Sequence, residues 1–240
     1  DGFSFDNHEK KLLIPAFTDP KLGSRVHTRD PKVWKDADGW HMVLGSQCEQ
    51  QKKLAGQILF YRSMDGTAWS FQNRFCMPEV EMIECPDLFE ADGNWVLMAS
   101  LMGRGTGEEP EHISCGGVVD FDPESGKLRT DITRLFSLDA GMDLYAAQSM
   151  KDEQGRNVMM AWMRMPQPID GEQWIGMYTL PRIVSVRDGQ LRYTVHPYVK
   201  EQFLISCRPE FFIQGAVRME AELEEDGKIE IGGYEIKRRG

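Results

Sequence analysis

Residues 29–46, RDPKVWKDADGWHMVLGS, read as two short strands joined by a tight turn. The dipeptide Asp38-Gly39 separates the two halves, and apolar residues dominate the second half. Asp-Gly between apolar runs is typical of a β-hairpin, because glycine readily adopts the positive φ that such a turn needs. The stretch therefore predicts a hairpin whose first strand opens with a charged Arg-Asp pair.

The same pattern returns twice along the chain. Residues 84–101 read ECPDLFEADGNWVLMASL, and residues 145–163 read YAAQSMKDEQGRNVMMAWM with weaker similarity. The repeats start 55 and 61 residues apart, a spacing that suits four-stranded sheets with loops. Radial repetition of such sheets is typical of a β-propeller, so the repeat predicts an all-β fold of this kind. A β-sandwich with coincidental hairpins is the alternative.

The repeat also predicts where a functional site would lie. In a propeller, the corresponding starts of the inner strands converge at one end of the central channel. The residues at these starts are Arg29, Asp30, Glu84, Cys85 and Tyr145. A carboxylate at the start of an inner strand costs free energy unless it is hydrated, paired or used in chemistry. We therefore expect these side chains to face a common funnel.

Composition excludes several classes of function. The chain carries 28 Lys and Arg against 38 Asp and Glu, a net charge of −10, so it lacks the basic surface of a nucleic-acid-binding protein. The sequence contains no run of 18 apolar residues, so it predicts no membrane-spanning helix. Five cysteines without a C-x-x-C pattern favour a reducing compartment. Five scattered histidines argue against a metal site.

Asp30 and Glu84 are the candidate chemical pair. Hydrolysis of a glycosidic bond needs one acid to protonate the leaving oxygen and one carboxylate to attack or to activate water. Two carboxylates on neighbouring inner strands could meet that need. The structural alternative is that Asp30 caps a turn before Pro31 and that Glu84 is simply paired with Arg29.

Five segments, in order, resemble glycoside hydrolase family 32, the β-fructosidases that include invertase, levanase, inulinase and sucrose-6-phosphate hydrolase. They are Arg-Asp-Pro at 29–31, Glu-Cys-Pro at 84–86, MDLYAAQ at 142–148, MAWM at 160–163 and MYTLPR at 177–182. The resemblance runs over about residues 1–200. It implies a five-bladed propeller, incomplete in this chain, whose blades from the second onward form a catalytic domain over residues 1–200. It also implies a linker and the first strands of a β-sandwich over residues 201–240.

The resemblance also implies roles for individual residues. Glu84 would be the general acid and then the general base, and Asp30 would stabilise the oxocarbenium-like transition state. The fructoside would contact Arg29, Cys85, Asp143, Tyr145 and Trp162. Ordinary core packing is an equal alternative for Trp162, and Cys85 reads as a small buried neighbour of Glu84 rather than a nucleophile.

One motif of the family is absent. Its nucleophile is an Asp within Trp-Met-Asn-Asp-Pro-Asn-Gly, and these 240 residues contain no such motif. The expectation is a chain that lacks the nucleophile, the first blade and most of the sandwich. An inactive propeller that binds carbohydrate or a partner protein is therefore the competing hypothesis. Related propeller glycosidases acting on arabinose or xylose polymers are a third.

The expected partner is a fructoside such as sucrose or a fructan, with no cofactor, no metal, no nucleic acid and no membrane. Open sheet edges in an incomplete propeller favour pairing with a second copy of the chain. The opening DGFSFDNHEKK lacks the features of a signal peptide, which favours a cytoplasmic location over secretion.

Overall fold

The regular secondary structure of the described residues is almost entirely β-strand. The structure is a computed structural model that describes residues 10–104, 111–139, 141, 143–168, 170–203, 218, 222–225, 227–231 and 234–237. Strands account for 56% of the described residues and helices for 4%. The all-β fold predicted from the repeat is therefore confirmed. None of the helices in these ranges is long and apolar enough to cross a membrane.

Three antiparallel sheets follow one another along the chain. The first contains β1 (Arg29–Asp36), β2 (Gly39–Gln50), β3 (Lys53–Ser63) and β4 (Ser70–Met77), in that spatial order. The second contains β5 (Met82–Ala91), β6 (Asn94–Arg104), β7 (Glu111–Asp122) and β8 (Lys127–Arg129), with β9 (Phe136–Ser137) also paired to β7 after a 3₁₀ turn at Ile132–Arg134. The third contains β10 (Leu144–Lys151), β11 (Asn157–Met163), β13 (Arg182–Arg187) and β14 (Gln190–Val195), with β12 (Met177–Tyr178) on β11.

Each sheet is a blade of a β-propeller, and the three blades are numbered here in the order in which they occur in this chain, not in the order of the family fold. The sheets are up-and-down meanders, and their first strands, β1, β5 and β10, lie side by side. Asp-Gly turns close the hairpins as the sequence predicts: at Asp92-Gly93 and Asp188-Gly189, both residues have positive φ. That geometry matches the twist of the flanking strands.

The core lies between adjacent blades. One buried cluster joins the first and second blades and includes Val43, Ile58, Phe60, Leu88, Leu97 and Phe121. A second joins the second and third blades and includes Phe89, Val96, Met98, Leu144, Met159 and Val184. Because the apolar faces pack blade against blade, the first strands β1, β5 and β10 are held beside one another.

All three inner strands carry the same irregularity. In β1, Asp30 and Pro31 oppose one residue of β2, since pairing skips from Arg29 to Lys32. Equivalent skips run from Glu84 to Asp87 in β5 and from Tyr145 to Gln148 in β10. These are β-bulges, which bend a strand and redirect its side chains.

Each bulge places a non-glycine residue in the left-handed region. The φ angles are 59° at Asp30, 45° at Cys85 and 53° at Ala146, the second position of each repeat. Such a conformation costs a residue with a Cβ roughly 1–3 kcal/mol, and it persists only where the surrounding structure imposes it. The strain thus falls at the same place in three blades, directly after Arg29, Glu84 and Tyr145.

Gly45 lies at a close contact between the first two blades. A Cβ added at Gly45 would lie 2.4 Å from the carbonyl oxygen of Ile83 and 3.3 Å from Cα of Glu84. We expect Gly45→Ala to lower the free energy of unfolding by about 1–3 kcal/mol in urea denaturation, because backbone must move to make room. Gly141→Ala is the matched control, since its nearest neighbour would lie 3.7 Å away. Equal stability of the two variants would contradict this packing.

The chain divides after His196 into two compact units, 1–196 and 197–240. The predicted boundary at residue 200 falls inside α1 (Pro197–Glu201) of the second unit. That unit also contains β15 (Lys228–Ile231) paired antiparallel with β16 (Tyr234–Lys237). Residues 204–217 lie outside the described residues, and the assignment of this unit to a β-sandwich stays a prediction.

Candidate active site

The Glu84 carboxyl is hydrogen-bonded by side chains from two other blades. Arg29 Nη2, from β1, donates to Glu84 Oε1 at 2.6 Å. The Tyr145 hydroxyl, from β10, donates to Glu84 Oε2 at 2.7 Å. The Glu84 side chain is 15% exposed, so it remains in reach of solvent and of a ligand. The first residues of the three repeats are therefore in direct contact.

Asp30 lies beside this group and is held by the next blade. The backbone N–H of Cys85 donates to Asp30 Oδ2 at 3.0 Å, and the Cys85 thiol lies 3.5 Å from the same oxygen. Arg29 Nε is 3.9 Å from Asp30 Oδ2. Because Cys85 is the bulge residue next to Glu84, the two carboxyl groups are connected through one peptide unit.

The bulges make these contacts available. In a regular strand, every N–H and C=O that faces a neighbouring strand is used by the ladder. At Cys85 the N–H is instead given to Asp30, and the carbonyl accepts from Gln148 Nε2 at 3.0 Å. The bulge N–H of Ala146 donates to Ser100 Oγ at 3.0 Å in the same way. The strained residues thus join neighbouring blades.

Burial and nearby negative charge keep the Cys85 thiol and the Tyr145 hydroxyl protonated. Burial, helped by the carboxylates of Asp30 and Glu84, raises the pKa of the Cys85 thiol to about 12. Burial and the hydrogen bond to Glu84 also raise the pKa of the Tyr145 hydroxyl far above its usual range. Tyr145 therefore stays a hydrogen-bond donor at neutral pH. Cys85 stays a thiol, which is a poor nucleophile.

Trp162 and Asp143 lie next to Tyr145, the first by strand pairing and the second along the chain. Trp162 is the cross-strand neighbour of Tyr145 and is 40% exposed, beside Gly176. A Cβ at Gly176 would lie only 1.9 Å from the indole nitrogen, so glycine is needed there. Asp143 is exposed, and its carbonyl oxygen accepts from Arg164 N at 2.8 Å. The Arg164 guanidinium lies 4.9 Å from the centre of the Tyr145 ring.

Several neighbours of the site were not among the predicted residues. His27 Nδ1 lies 3.1 Å from Arg29 Nη1, and Lys32 Nζ lies 3.0 Å from Asp87 Oδ1. Burial raises the pKa of the Asp87 carboxyl, while the Lys32 ammonium opposes that rise. The repeat contained a sequence signal for this ion pair, since Lys32 and Asp87 occupy its fourth position with opposite charges.

Within the described ranges, no three His, Cys, Asp or Glu side chains are grouped to hold a metal ion.

The amino-acid sequence matches a known protein family over most of its length. The model of the Glycosyl hydrolases family 32 N-terminal domain matches residues 1–197. The chain belongs to glycosyl hydrolase family 32. The family resemblance expected from the Arg-Asp-Pro and Glu-Cys-Pro segments is thereby confirmed.

Relatives within family 32 agree in sequence and in fold. The chain is 32% identical over 214 residues to a sucrose-6-phosphate hydrolase of Bacillus subtilis, covering 83% of this chain and 43% of the relative. It is 36% identical over 198 residues to a raffinose invertase of Escherichia coli, covering 80% and 40%. A β-fructofuranosidase structure from Bombyx mori superposes with a TM-score of 0.69 at 24% identity, over 94% of this chain and 46% of that one. The chain thus spans about two fifths of the length of its curated relatives.

Proposed function

We propose that this protein is a β-fructosidase that hydrolyses a terminal β-fructofuranosyl bond in sucrose or a fructan with retention of configuration. The observation that carries the proposal is the Glu84 carboxyl, held between Arg29 Nη2 and the Tyr145 hydroxyl. A positioned, partly buried carboxyl is what protonation of a glycosidic oxygen needs. The family membership and the names of the relatives support a fructoside as the substrate.

The roles follow from which atoms are engaged. Glu84 would protonate the leaving oxygen and then, as the carboxylate, activate water. Asp30 would place negative charge beside the oxocarbenium-like centre; its Oδ2 is engaged by Cys85, so Oδ1 would face the sugar. Other contacts to the sugar are proposed for Arg29, Cys85, Asp143, Tyr145 and Trp162.

Retention requires a further carboxylate as nucleophile. Asp87 cannot take that role, because its side chain is fully buried and paired with Lys32. The Trp-Met-Asn-Asp-Pro-Asn-Gly motif does not occur in these 240 residues. We therefore propose that the attacking carboxylate is supplied from outside this sequence.

The absence of the nucleophile motif from these 240 residues favours a second candidate function. A propeller with Asp30 and Glu84 but no nucleophile could bind fructosides without turning them over. An arabinose- or xylose-directed glycosidase is a third hypothesis, and the Glu-Cys-Pro segment at 84–86 favours the fructosidase over it.

A substrate panel separates these functions. We expect the complete protein to release fructose from sucrose, from sucrose 6-phosphate or from a short fructan, and to leave aryl arabinosides and xylosides intact. The measurement is enzymatic detection of fructose, combined with calorimetric titration of fructose. Binding of fructose without release would favour the inactive propeller. Hydrolysis of the arabinoside alone would overturn the fructosidase proposal.

The partners of the site follow from this proposal. A fructoside is the proposed ligand. Pairing of two copies through open sheet edges and a cytoplasmic location both stay predictions from the sequence.

A further inference from the structure

A buried ion pair lies just beyond the bulges. Lys32 and Asp87 each stand three residues after the first residue of their repeat. Lys32 Nζ lies 3.0 Å from Asp87 Oδ1, and the side chains are 20% and 0% exposed. A buried ion pair gives little net stability against an apolar pair of similar size, because desolvation offsets the attraction. The pair therefore calls for an explanation other than stability.

The pair also engages the third inner strand. The Ser149 backbone N–H donates to Asp87 Oδ2, and the Ser149 carbonyl accepts from Lys32 Nζ. The Lys32 ammonium, the Asp87 carboxylate and the two backbone polar groups of Ser149 thus link β1, β5 and β10. We use "inner-strand junction" for Lys32, Asp87 and Ser149.

The junction lies where each bulge ends. Regular pairing resumes at Lys32 in β1, at Asp87 in β5 and at Gln148 in β10. The bulged residues have no partner in their own ladder, so their height and direction depend on what fixes the residues on either side. Lys32 and Asp87 are fixed to each other, and this sets the relative position of the segments that begin with Arg29 and Glu84.

We propose that Lys32 and Asp87 are positioning residues that hold the Glu84 carboxyl in register with Arg29 and Tyr145. The inference rests on the proposed role of Glu84 as general acid. Neither residue touches the sugar; both act through the bulges. Misplacement of a catalytic group by about 1 Å can cost about 10²-fold in rate, so a small shift between β1 and β5 is enough.

The test compares two substrates in the complete protein. Sucrose has a poor leaving group that needs a proton from the general acid. An aryl β-fructofuranoside with an electron-withdrawing ring has a good leaving group and needs little protonation. The value of kcat/KM reports the steps up to cleavage of the glycosidic bond, and it does not include the later hydrolysis step in which Glu84 acts as a base for both substrates. The ratio of kcat/KM for sucrose to kcat/KM for the aryl substrate therefore reports on proton donation by Glu84.

The test variant is the double substitution Lys32→Met and Asp87→Asn. It removes both charges together, and the asparagine introduced by Asp87→Asn retains an oxygen that can accept from Ser149 N–H. We expect the ratio to fall by at least about 10-fold. The single variant Lys32→Arg, which retains the positive charge, should keep most of the parent protein's ratio. If the double variant does not fold, Lys32→Gln combined with Asp87→Asn, a neutral polar pair that leaves no unpaired charge, is measured in the same way.

The control is a second ion pair away from the bulges. Arg156 Nε lies 2.6 Å from Asp152 Oδ2 at the β10–β11 turn, and the double substitution Arg156→Met and Asp152→Asn should leave the ratio unchanged. A similar fall in that control would overturn the proposal. So would an unchanged ratio in the Lys32 and Asp87 variant while Glu84→Gln lowers it. If Glu84→Gln itself leaves the ratio unchanged, the proposed function fails instead.

Discussion

Glu84→Gln is expected to lower kcat for fructoside hydrolysis by about 10²–10⁴-fold in the complete protein. Glutamine cannot donate a carboxyl proton to the leaving oxygen, nor act as a base toward water. The loss should appear in kcat, since the proton is transferred in the transition state rather than in the bound ground state. The measurement is steady-state fructose release from sucrose.

The fold should tolerate this change. Arg29 can only donate, so the glutamine oxygen is expected to face Arg29 Nη2. The glutamine amide would then face Tyr145, whose hydroxyl can turn to accept a hydrogen bond. Both contacts to residue 84 are retained in altered form, and the melting temperature should change little.

The matched control for this prediction is Glu90→Gln. Glu90 lies on the same strand, β5, and is exposed to solvent. Its variant should retain the parent kcat. If Glu84→Gln retained more than a tenth of the parent kcat, Glu84 would be a structural partner of Arg29, and the assignment of the general acid would be wrong.

The blade architecture could be predicted because its signal is local. Apolar strands and Asp-Gly turns depend only on residues that are close in the chain. The hairpins at 29–46 and 84–101 can therefore be recognised from a single sequence. The third blade was the least distinct, since residues 145–163 lack both the proline and the Asp-Gly turn of the other two. The structure nevertheless gives it the same bulge at Tyr145.

The sequence marks two of the bulges only indirectly, because Pro31 and Pro86 lie inside β1 and β5, where proline is confined to strand edges and bulges. Glycine is the usual mark of a positive φ, but Asp30, Cys85 and Ala146 occupy these positions instead. Their conformation is imposed by the contacts between blades, such as the bond from Cys85 N–H to Asp30. Strain of this kind depends on residues 55 positions apart and is invisible to local propensity.

The ion pair beyond the bulges was missed for a related reason. In the sequence, Lys32 and Asp87 look like ordinary charged residues near strand starts, which are usually solvated. Only the placement of β1 beside β5 brings them together and buries Asp87 completely. Comparing equivalent positions of the repeat, rather than reading each strand alone, would have paired their opposite charges.

Asp30→Asn is expected to lower kcat by about 10²–10³-fold, with a smaller effect on KM. Positive charge develops on the sugar ring only in the transition state, so a nearby carboxylate stabilises that state more than the bound substrate. Loss of one preorganised electrostatic contact of this kind typically costs about 10²–10³-fold in kcat. Asparagine removes the charge at nearly constant shape.

The Asp30→Asn variant should also keep the local structure. Asp and Asn are the non-glycine residues that best tolerate the left-handed region, and residue 30 has a φ of 59°. The amide oxygen of asparagine can still accept from Cys85 N–H in place of Asp30 Oδ2. A change in kcat would therefore report the lost charge rather than a lost bulge.

Asp38→Asn is the control for Asp30→Asn, because Asp38 is exposed in the turn between β1 and β2. Its kcat should equal that of the parent. A raised KM with unchanged kcat in Asp30→Asn would mean that Asp30 binds substrate and transition state equally. Its carboxylate would then be a sugar contact, and the positive charge in the transition state would be stabilised by a different group.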